Sequence, residues 1–327
     1  MNKLETIVSG ARASGKLHIG NYLGALKQWI ELQKAGHKCY FFIADLHGIT
    51  TPFEPKELNQ NTLDVAATYL AAGINPEKST FFLQNHILEH ANLAWIFNCL
   101  LPIAELERMT QYKDKSELHK ESINAGLLTY PALMAADILM YKATAVPVGD
   151  DQIQHVELTR VVARKFNNRF GELFPEPKHL IRDEKVARVK SLSEPTKKMS
   201  KTGDEALLLD DSPEEITRKI KKAVTGSDAS GNNPGAENLI YLLNNFGSSE
   251  QVKHFVSEQA SGKLKYSELK EALAQEIAKY FSEFREKKKE LLSKPEYLAE
   301  VLAEGSKKAR AVAQQTMQEV KEKIGLL

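Results

Sequence analysis

The sequence has few cysteines, the residues that form disulfides and hold structural zinc. It contains two cysteines, Cys39 and Cys99, with neither a CxxC pair nor a histidine at ligand spacing from either. Both lie in apolar surroundings, KCYFF and IFNCLL. We therefore expect two buried free thiols and no structural metal site.

Net charge and long apolar runs are equally scarce. The 44 Lys and Arg residues nearly balance the 43 Asp and Glu residues, so the formal net charge of +1 by itself indicates no charged partner. No apolar run approaches the roughly 18 residues that a membrane helix needs, and no basic leader precedes an apolar core. We expect a cytoplasmic protein without a membrane partner. At 327 residues the chain is long enough for one large domain or, more in keeping with its length, two.

The first half of the chain alternates short β-rich runs with helical stretches. Alternation of this kind predicts an α/β fold with a Rossmann-like, doubly wound parallel sheet. Ligands bind such sheets beyond the carboxyl ends of the strands. The predicted strands are 6–10, 38–46, 79–84 and 144–149, and the loops to watch are 9–21, 45–51, 84–90 and 147–155.

The rest of the chain is predicted to be largely helical. A helical insertion at about 90–141 separates the third and fourth strands, and no strand pattern returns after about 210. Ser212 and Pro213 are typical of an N-cap and the first position of a helix. We expect a catalytic domain over 1–204 and an all-α domain over 205–327.

The stretch SGARASGKLHIGN has the spacing of a P-loop at Gly10, Gly15 and Lys16. A P-loop requires Ser or Thr after the lysine, and Leu17 stands there instead. HIGN follows a strand and opens a helix, where glycine lets backbone approach a phosphate and His18 is able to donate a hydrogen bond to it. The alternative is that these side chains merely cap the helix.

A second candidate phosphate-binding element is PTKKMSKTGD, residues 195–204. It lies in the basic segment 178–204, which has eight Lys or Arg residues against four Asp or Glu residues. Lys197, Lys198 and Lys201 are typical of a mobile cationic loop that closes over a polyphosphate, although a solvated surface turn or linker has the same composition. Together with HIGN, this loop supplies both halves of an adenylate-forming site.

These two stretches resemble the HIGH and KMSKS signatures of the class I aminoacyl-tRNA synthetases. LERMTQYKDKS (106–116), GLLTYPALMAADILMY (126–141) and VPVGDDQIQHVELTR (146–160) are similar to the bacterial tryptophanyl branch of that family. The resemblance spans essentially the whole chain and weakens after about 225. It implies activation of L-tryptophan by ATP with Mg²⁺, transfer to tRNA(Trp), an anticodon-binding domain over 205–327, and a homodimer. The apolar segment 94–106 is the candidate dimer interface, and burial in the core is the alternative for it.

The resemblance also implies a set of site residues. Asp137 would accept the hydrogen bond of the indole N–H, and Met134, three residues away, would share its helix face. Tyr130 and Gln152 would hold the amino and carboxylate groups. The expected catalytic residues are His18, Lys115, Lys198 and Lys201; the expected ATP contacts are Arg12, Gly20, Asn21, Gly149, Asp151, Lys198, Met199, Ser200, Lys201 and Thr202; the expected tryptophan contacts are Val8, His47, Tyr130, Met134, Asp137, Val146, Val148 and Gln152.

Several of these residues have simpler explanations or depart from the family pattern. Val146 and Val148 are what any buried strand contains, and the alternative for His47 is a hydrogen bond to backbone in its loop. Lys115 is also typical of a solvated helix surface. Arg12 stands where relatives commonly carry Gln, and we hypothesise that it contacts ATP or tRNA. Thr202 replaces the last serine of KMSKS and keeps its hydroxyl.

Three other functions are compatible with parts of the sequence. A tyrosyl-tRNA synthetase shares the fold and both signatures. A paralogue without catalysis would have lost the HIGN and KMSK residues, which are intact here. A nucleotidyltransferase acting on small molecules would not need the helical region after 211.

Overall fold

The computed structural model describes residues 4–13, 15–118, 123–181, 189–200, 206–226 and 233–326, with backbone only for residues 115, 116 and 118. Its strands are β1 Thr6–Ala11, β2 Lys38–Ile43, β3 Ser79–Leu83, β4 Ala145–Pro147 and β5 Lys178–Leu180. Its α-helices are α1 Ile19–Asn21, α2 Lys27–Lys34, α3 Asp45–Gly48, α4 Pro55–Ala72, α5 Leu88–Asn98, α6 Ile103–Glu107, α7 Thr110–Leu118, α8 Ala125–Leu139, α9 Ile153–Phe170, α10 Pro213–Lys221, α11 Pro234–Phe246, α12 Ser249–Ala260, α13 Tyr266–Tyr280, α14 Ser282–Leu292 and α15 Pro295–Ile324.

The five strands form one parallel sheet in the order β3-β2-β1-β4-β5. The predicted doubly wound sheet and its four predicted strands are confirmed. Five consecutive residues of β2 are buried, as expected for a strand covered on both faces. The short edge strand β5 was not predicted, because its sequence KHL is polar and half exposed and gives no strand pattern.

The chain divides into two compact units. Unit 1 comprises Met1–Gly15, Lys27–Arg182 and Leu291–Leu327, and unit 2 comprises Lys16–Leu26 and Asp183–Glu290. This division differs from the boundary expected at residue 204, because α15 packs against β3 within unit 1. A Cβ atom on Gly305 would lie 1.7 Å from the carbonyl oxygen of Phe81, so only glycine permits this approach.

The predicted helical insertion of unit 1 consists of α5 to α8. Helices α5 and α8 pack on each other through buried residues such as Leu93, Phe97 and Leu139, which places polar residues of both helices face to face. Cys39 is a buried free thiol, as expected, but the expectation for Cys99 is wrong: it is exposed. Cys99 is the C-cap of α5 and therefore lies past the helix face that packs.

Unit 2 joins the HIGN segment to the helices of the second half of the chain. The backbone N–H of Ile19 donates to the carbonyl of Leu207 over 2.8 Å. The predicted start of α10 is confirmed, because the Ser212 side chain caps it. A π-helix, Tyr22–Leu26, follows α1 and was not predicted; its Tyr22 hydroxyl is 2.8 Å from that of Tyr280.

Among the described residues, none of the helices has both the length and the apolar character that a membrane span requires. The same residues contain no group of three or more His, Cys, Asp or Glu side chains arranged to hold a metal ion.

Candidate active site

Asp137 is the most buried carboxylate of the predicted site. It lies on α8 with 1% of its surface exposed. Its Oδ1 accepts hydrogen bonds from Gln84 Nε2 (2.7 Å) and His90 Nδ1 (2.5 Å), and its Oδ2 accepts one from His47 Nε2 (2.7 Å). Burial raises the pKa of Asp137, but the hydrogen bonds and charges of His47 and His90 outweigh burial and lower it. The site therefore holds an ionised, hydrogen-bond-accepting carboxylate away from water.

The partners of Asp137 come from the loops predicted to bind ligand. His47 lies on α3 directly after β2, and Gln84 follows β3, so both stand at carboxyl ends of parallel strands. His90 comes from the first turn of α5. His47 was predicted as a site residue, whereas Gln84 and His90 were not. The signal available for them was only their position in the loop 84–90.

Tyr130 lies on α8 seven residues, or about two turns, before Asp137 and thus on the same face. Its hydroxyl is 2.7 Å from Nε2 of His155, a residue on α9 that is 1% exposed and was not predicted. Burial raises the pKa of Tyr130 to about 12, with Arg12 lowering it and Asp151 raising it further. Tyr130 is therefore a neutral phenol at physiological pH.

Arg12 is a partly buried cation near Tyr130. Its Nη2 donates to Thr51 Oγ1 over 2.9 Å, and its Nε is buried without a hydrogen-bond partner among the described residues. Burial lowers the pKa of Arg12, and Tyr130 partly offsets this. Because guanidinium stays charged in proteins, the unused donor suits an anionic ligand.

The remaining predicted residues of unit 1 that the structure describes are apolar side chains and a turn after β4. Val8 and Val146 are fully buried strand residues, whereas Met134 and Val148 are half buried and have surface to offer a ligand. Gly149 precedes a 3₁₀ turn, Asp150–Gln152, in which Gln152 Nε2 donates to Asp151 Oδ2 over 2.8 Å. The side-chain amide of Gln152 is thus bonded to its neighbour.

In unit 2, the HIGN residues form a tight helix start. The backbone N–H of His18 donates to Asn21 Oδ1 over 3.1 Å, so Asn21 does cap the helix. A Cβ on Gly20 would lie 2.8 Å and 2.9 Å from two ring atoms of His18. Glycine is therefore needed here to leave room for the imidazole. Lys16 belongs to the P-loop-like spacing, but its Nζ lies 3.4 Å from a carboxylate oxygen of Asp210, with which it forms an ion pair.

Lys198 and Met199 of the KMSK stretch lie in a short antiparallel pairing with Val189 and Lys190. The backbone of Met199 donates to Val189 over 3.0 Å, and Lys198 pairs with Lys190. Met199 is buried, whereas Lys198 and Ser200 on either side of it are exposed, as alternation in an extended segment requires. Lys201, Thr202 and the side chain of Lys115 lie outside the described residues.

Comparisons with known proteins show which family the chain is similar to. The family model described as tRNA synthetases class I (W and Y) matches residues 2–282. The tryptophan–tRNA ligase of Caldanaerobacter subterraneus subsp. tengcongensis is 46% identical, covering 99% of this chain and 99% of that protein. That of Clostridium tetani is 44% identical, covering 99% and 96%. A crystal structure of tryptophanyl-tRNA synthetase from Campylobacter jejuni, complexed with ADP and tryptophan, is 38% identical with a TM-score of 0.86 and covers 98% of this chain and 100% of that one.

The chain belongs to the class I tRNA synthetases that this family model describes. Within that family its full-length relatives at 44% and 46% identity are bacterial tryptophan–tRNA ligases, so the chain falls in the tryptophan branch.

Proposed function

We propose that this protein is a tryptophan–tRNA ligase, which activates L-tryptophan with ATP and transfers it to the 3′-terminal ribose of tRNA(Trp). The observation that supports tryptophan is the buried, ionised Asp137. Its two oxygens offer about four acceptor positions, and three are used by Gln84, His90 and His47. One position on Oδ2 remains for the single N–H donor of an indole. An aromatic amino acid without that N–H donor would leave the buried Oδ2 of Asp137 without this hydrogen bond.

Adenylate formation needs no nucleophile from the protein. The carboxylate oxygen of tryptophan attacks the α-phosphorus in line, an O–P bond forms, and the bond to the leaving pyrophosphate breaks. Mg²⁺ enters with ATP as part of that substrate. His18 and the exposed Lys198 lie in unit 2 and are proposed as donors to phosphate oxygens, and Lys115 and Lys201 are proposed for the same task.

Amino-acid binding is proposed for unit 1. The neutral Tyr130 keeps an oxygen able to accept from the ammonium group of tryptophan. The unused Nε donor of Arg12 suits a phosphate of ATP or tRNA. Met134 and Val148 contact the indole, and Val8 and Val146 support them from the sheet. In the second step a ribose hydroxyl of tRNA attacks the activated carbonyl, and AMP leaves.

Exchange of labelled pyrophosphate into ATP tests this function with each amino acid separately. We expect tryptophan alone to drive it; exchange driven by tyrosine instead would assign the protein to the tyrosine branch. Lys198→Met should lower kcat for exchange by at least about tenfold, since it removes a charge from the leaving group. Lys197→Met is the matched control, because Lys197 already pairs with Glu194 at 2.5 Å and should change little.

The remaining parts of the proposal concern partners and location. We assign anticodon recognition to the helical region after 205, and a homodimer to the exposed apolar side chains of α5 and α6. These are Leu88 (77% exposed), Trp95 (70%) and Ile103 (65%). Two cysteines without a disulfide agree with a reducing compartment such as the cytoplasm.

A further inference from the structure

His90 is a fully buried titratable side chain to which the reaction assigns no task. Its ring lies among Phe42, Phe82 and Tyr141, with ring centroids 5.5–6.1 Å away. Both ring nitrogens are nevertheless hydrogen-bonded: Nδ1 to Asp137 Oδ1 over 2.5 Å and Nε2 to the Tyr141 hydroxyl over 2.7 Å. Burying an imidazole among aromatic rings is a costly way to fill a core, because both of its ring nitrogens must then find hydrogen-bond partners.

The bond to Asp137 fixes which nitrogen of His90 donates to the carboxylate. An ionised carboxylate only accepts hydrogen bonds, so Nδ1 carries the proton and donates it to Asp137. Nε2 shares its hydrogen bond with the Tyr141 hydroxyl. Burial raises the pKa of Tyr141 well above its ordinary value, so this phenol keeps its proton. His90 is therefore held between the carboxylate of Asp137, to which it donates, and the hydroxyl of Tyr141.

His90 and Gln84 together occupy Oδ1 of Asp137. With Oδ1 held by two donors, the rotation of the carboxylate about its Cβ–Cγ bond is fixed. Oδ2, which accepts a single bond from the described residues, that of His47, then has a fixed direction for its remaining lone pair. Without the hydrogen bond from His90, the carboxylate would be able to rotate, and the lone pair of Oδ2 would no longer have a fixed direction.

We propose that His90 is a positioning residue for tryptophan selection, whose Nδ1–H holds Oδ1 of Asp137 so that Oδ2 is presented to the indole N–H. The inference rests on the proposed function, because it assumes that an indole occupies the site. It adds to that function a residue which touches neither substrate and acts through Asp137 alone.

Two substitutions at His90 separate this role from simple packing. Asn places its side-chain amide near the position of Nδ1, whereas Gln places it near Nε2. His90→Asn therefore keeps a donor for Asp137 and loses the Tyr141 bond, and His90→Gln does the reverse. Gln is the closer match to histidine in length, so a core-filling role predicts that Gln is the milder change.

The measurement is a ratio of two dissociation constants, both obtained by calorimetry. It is the constant for L-3-(benzothiophen-3-yl)alanine, in which sulfur replaces the N–H, divided by the constant for L-tryptophan. We expect His90→Gln to weaken tryptophan binding by at least about tenfold while the analogue changes by less than about threefold, because only tryptophan uses the aimed acceptor. His90→Asn should keep a ratio close to that of the unmodified protein. Tyr141→Phe, which keeps the ring, should lower the ratio in the same direction as His90→Gln but less.

The outcomes are distinct. Equal weakening of both ligands in His90→Gln, or equal loss of discrimination in the Asn and Gln variants, would overturn the positioning role. So would an unchanged ratio in both His90→Gln and Tyr141→Phe. Failure of the proposed function shows elsewhere, in the unmodified protein, as absence of tryptophan-driven pyrophosphate exchange.

Discussion

At the scale of the residue, the central feature is the carboxylate of Asp137, whose pKa burial alone would raise. His47 and His90 reverse that effect at Asp137 and leave it ionised and able to accept hydrogen bonds. The direction of the shift has a consequence for acid stability. A carboxylate with a lowered folded pKa contributes stability above its ordinary pKa, and this is lost as pH falls through the lowered folded value.

Asp137→Asn tests this feature. Removing the charge should raise the KM for tryptophan in pyrophosphate exchange by at least about tenfold. The substitution replaces one accepting oxygen by an N–H₂ group, which is a donor and cannot accept hydrogen bonds from the histidines or the indole. The variant should also lack part of the acid-dependent loss of stability. Thermal unfolding from about pH 7 down to about pH 3 checks the second effect.

Asp45→Asn is the control for that experiment. Asp45 is also buried, but burial raises its pKa despite its hydrogen bonds with Asn85 and Leu46. Its carboxylate therefore opposes folding as pH rises, and its removal should change the pH dependence in the opposite sense. If both variants altered the pH dependence alike, the ionised state of Asp137 would not be the cause.

At the scale of the element, the start of α1 shows how a backbone choice positions a functional ring. Gly20→Ala would place a Cβ against the His18 imidazole and push it away. We expect adenylate formation, followed as single-turnover pyrophosphate release, to slow by at least about tenfold, since His18 would be misplaced by on the order of 1 Å.

Gly24→Ala provides the matched control in the π-helix that follows α1. A Cβ atom on Gly24 would have open space around it, with no atom of the described residues outside its own helical segment within 4 Å. The φ angle of Gly24 is not positive, so alanine there should be neutral or slightly stabilising. Equal slowing in both variants would mean that glycine matters to the π-helix and not to His18.

The same elements show what sequence is able to predict. The strands were found because β-branched and aromatic runs such as that around Phe41 and Phe42 are dictated by burial on both faces. Asp137, His47 and Tyr130 were predicted through family likeness, and their roles stay predictions. The contacts of Gln84, His90 and His155 with these residues were not predicted, because hydrogen bonds across 25 to 53 positions of sequence leave no local pattern.

At the scale of the whole molecule, the fold uses distant parts of the chain for one unit. Residues 291–327 return to unit 1 and pack through Gly305 on β3. Deleting the chain after about 211 would therefore remove part of unit 1 along with the helices proposed to bind tRNA. A loss of tRNA charging in such a deletion says nothing about anticodon binding, and point substitutions on the helical surface are the sound test.

The proposed homodimer gives the last prediction. Leu88 and Trp95 lie seven residues apart on α5 and so share one exposed face. Exposing two large apolar side chains side by side to water is unfavourable, so such a face is typical of a surface that another protein covers. Trp95→Glu would place a charge in an apolar contact, which we expect to weaken dimerisation by at least about a hundredfold. Sedimentation equilibrium at micromolar protein should then show monomers. Tyr297→Glu, at an exposed aromatic residue of α15, should leave the dimer intact, while an unmodified protein that sediments as a monomer would refute the assembly without touching the proposed reaction.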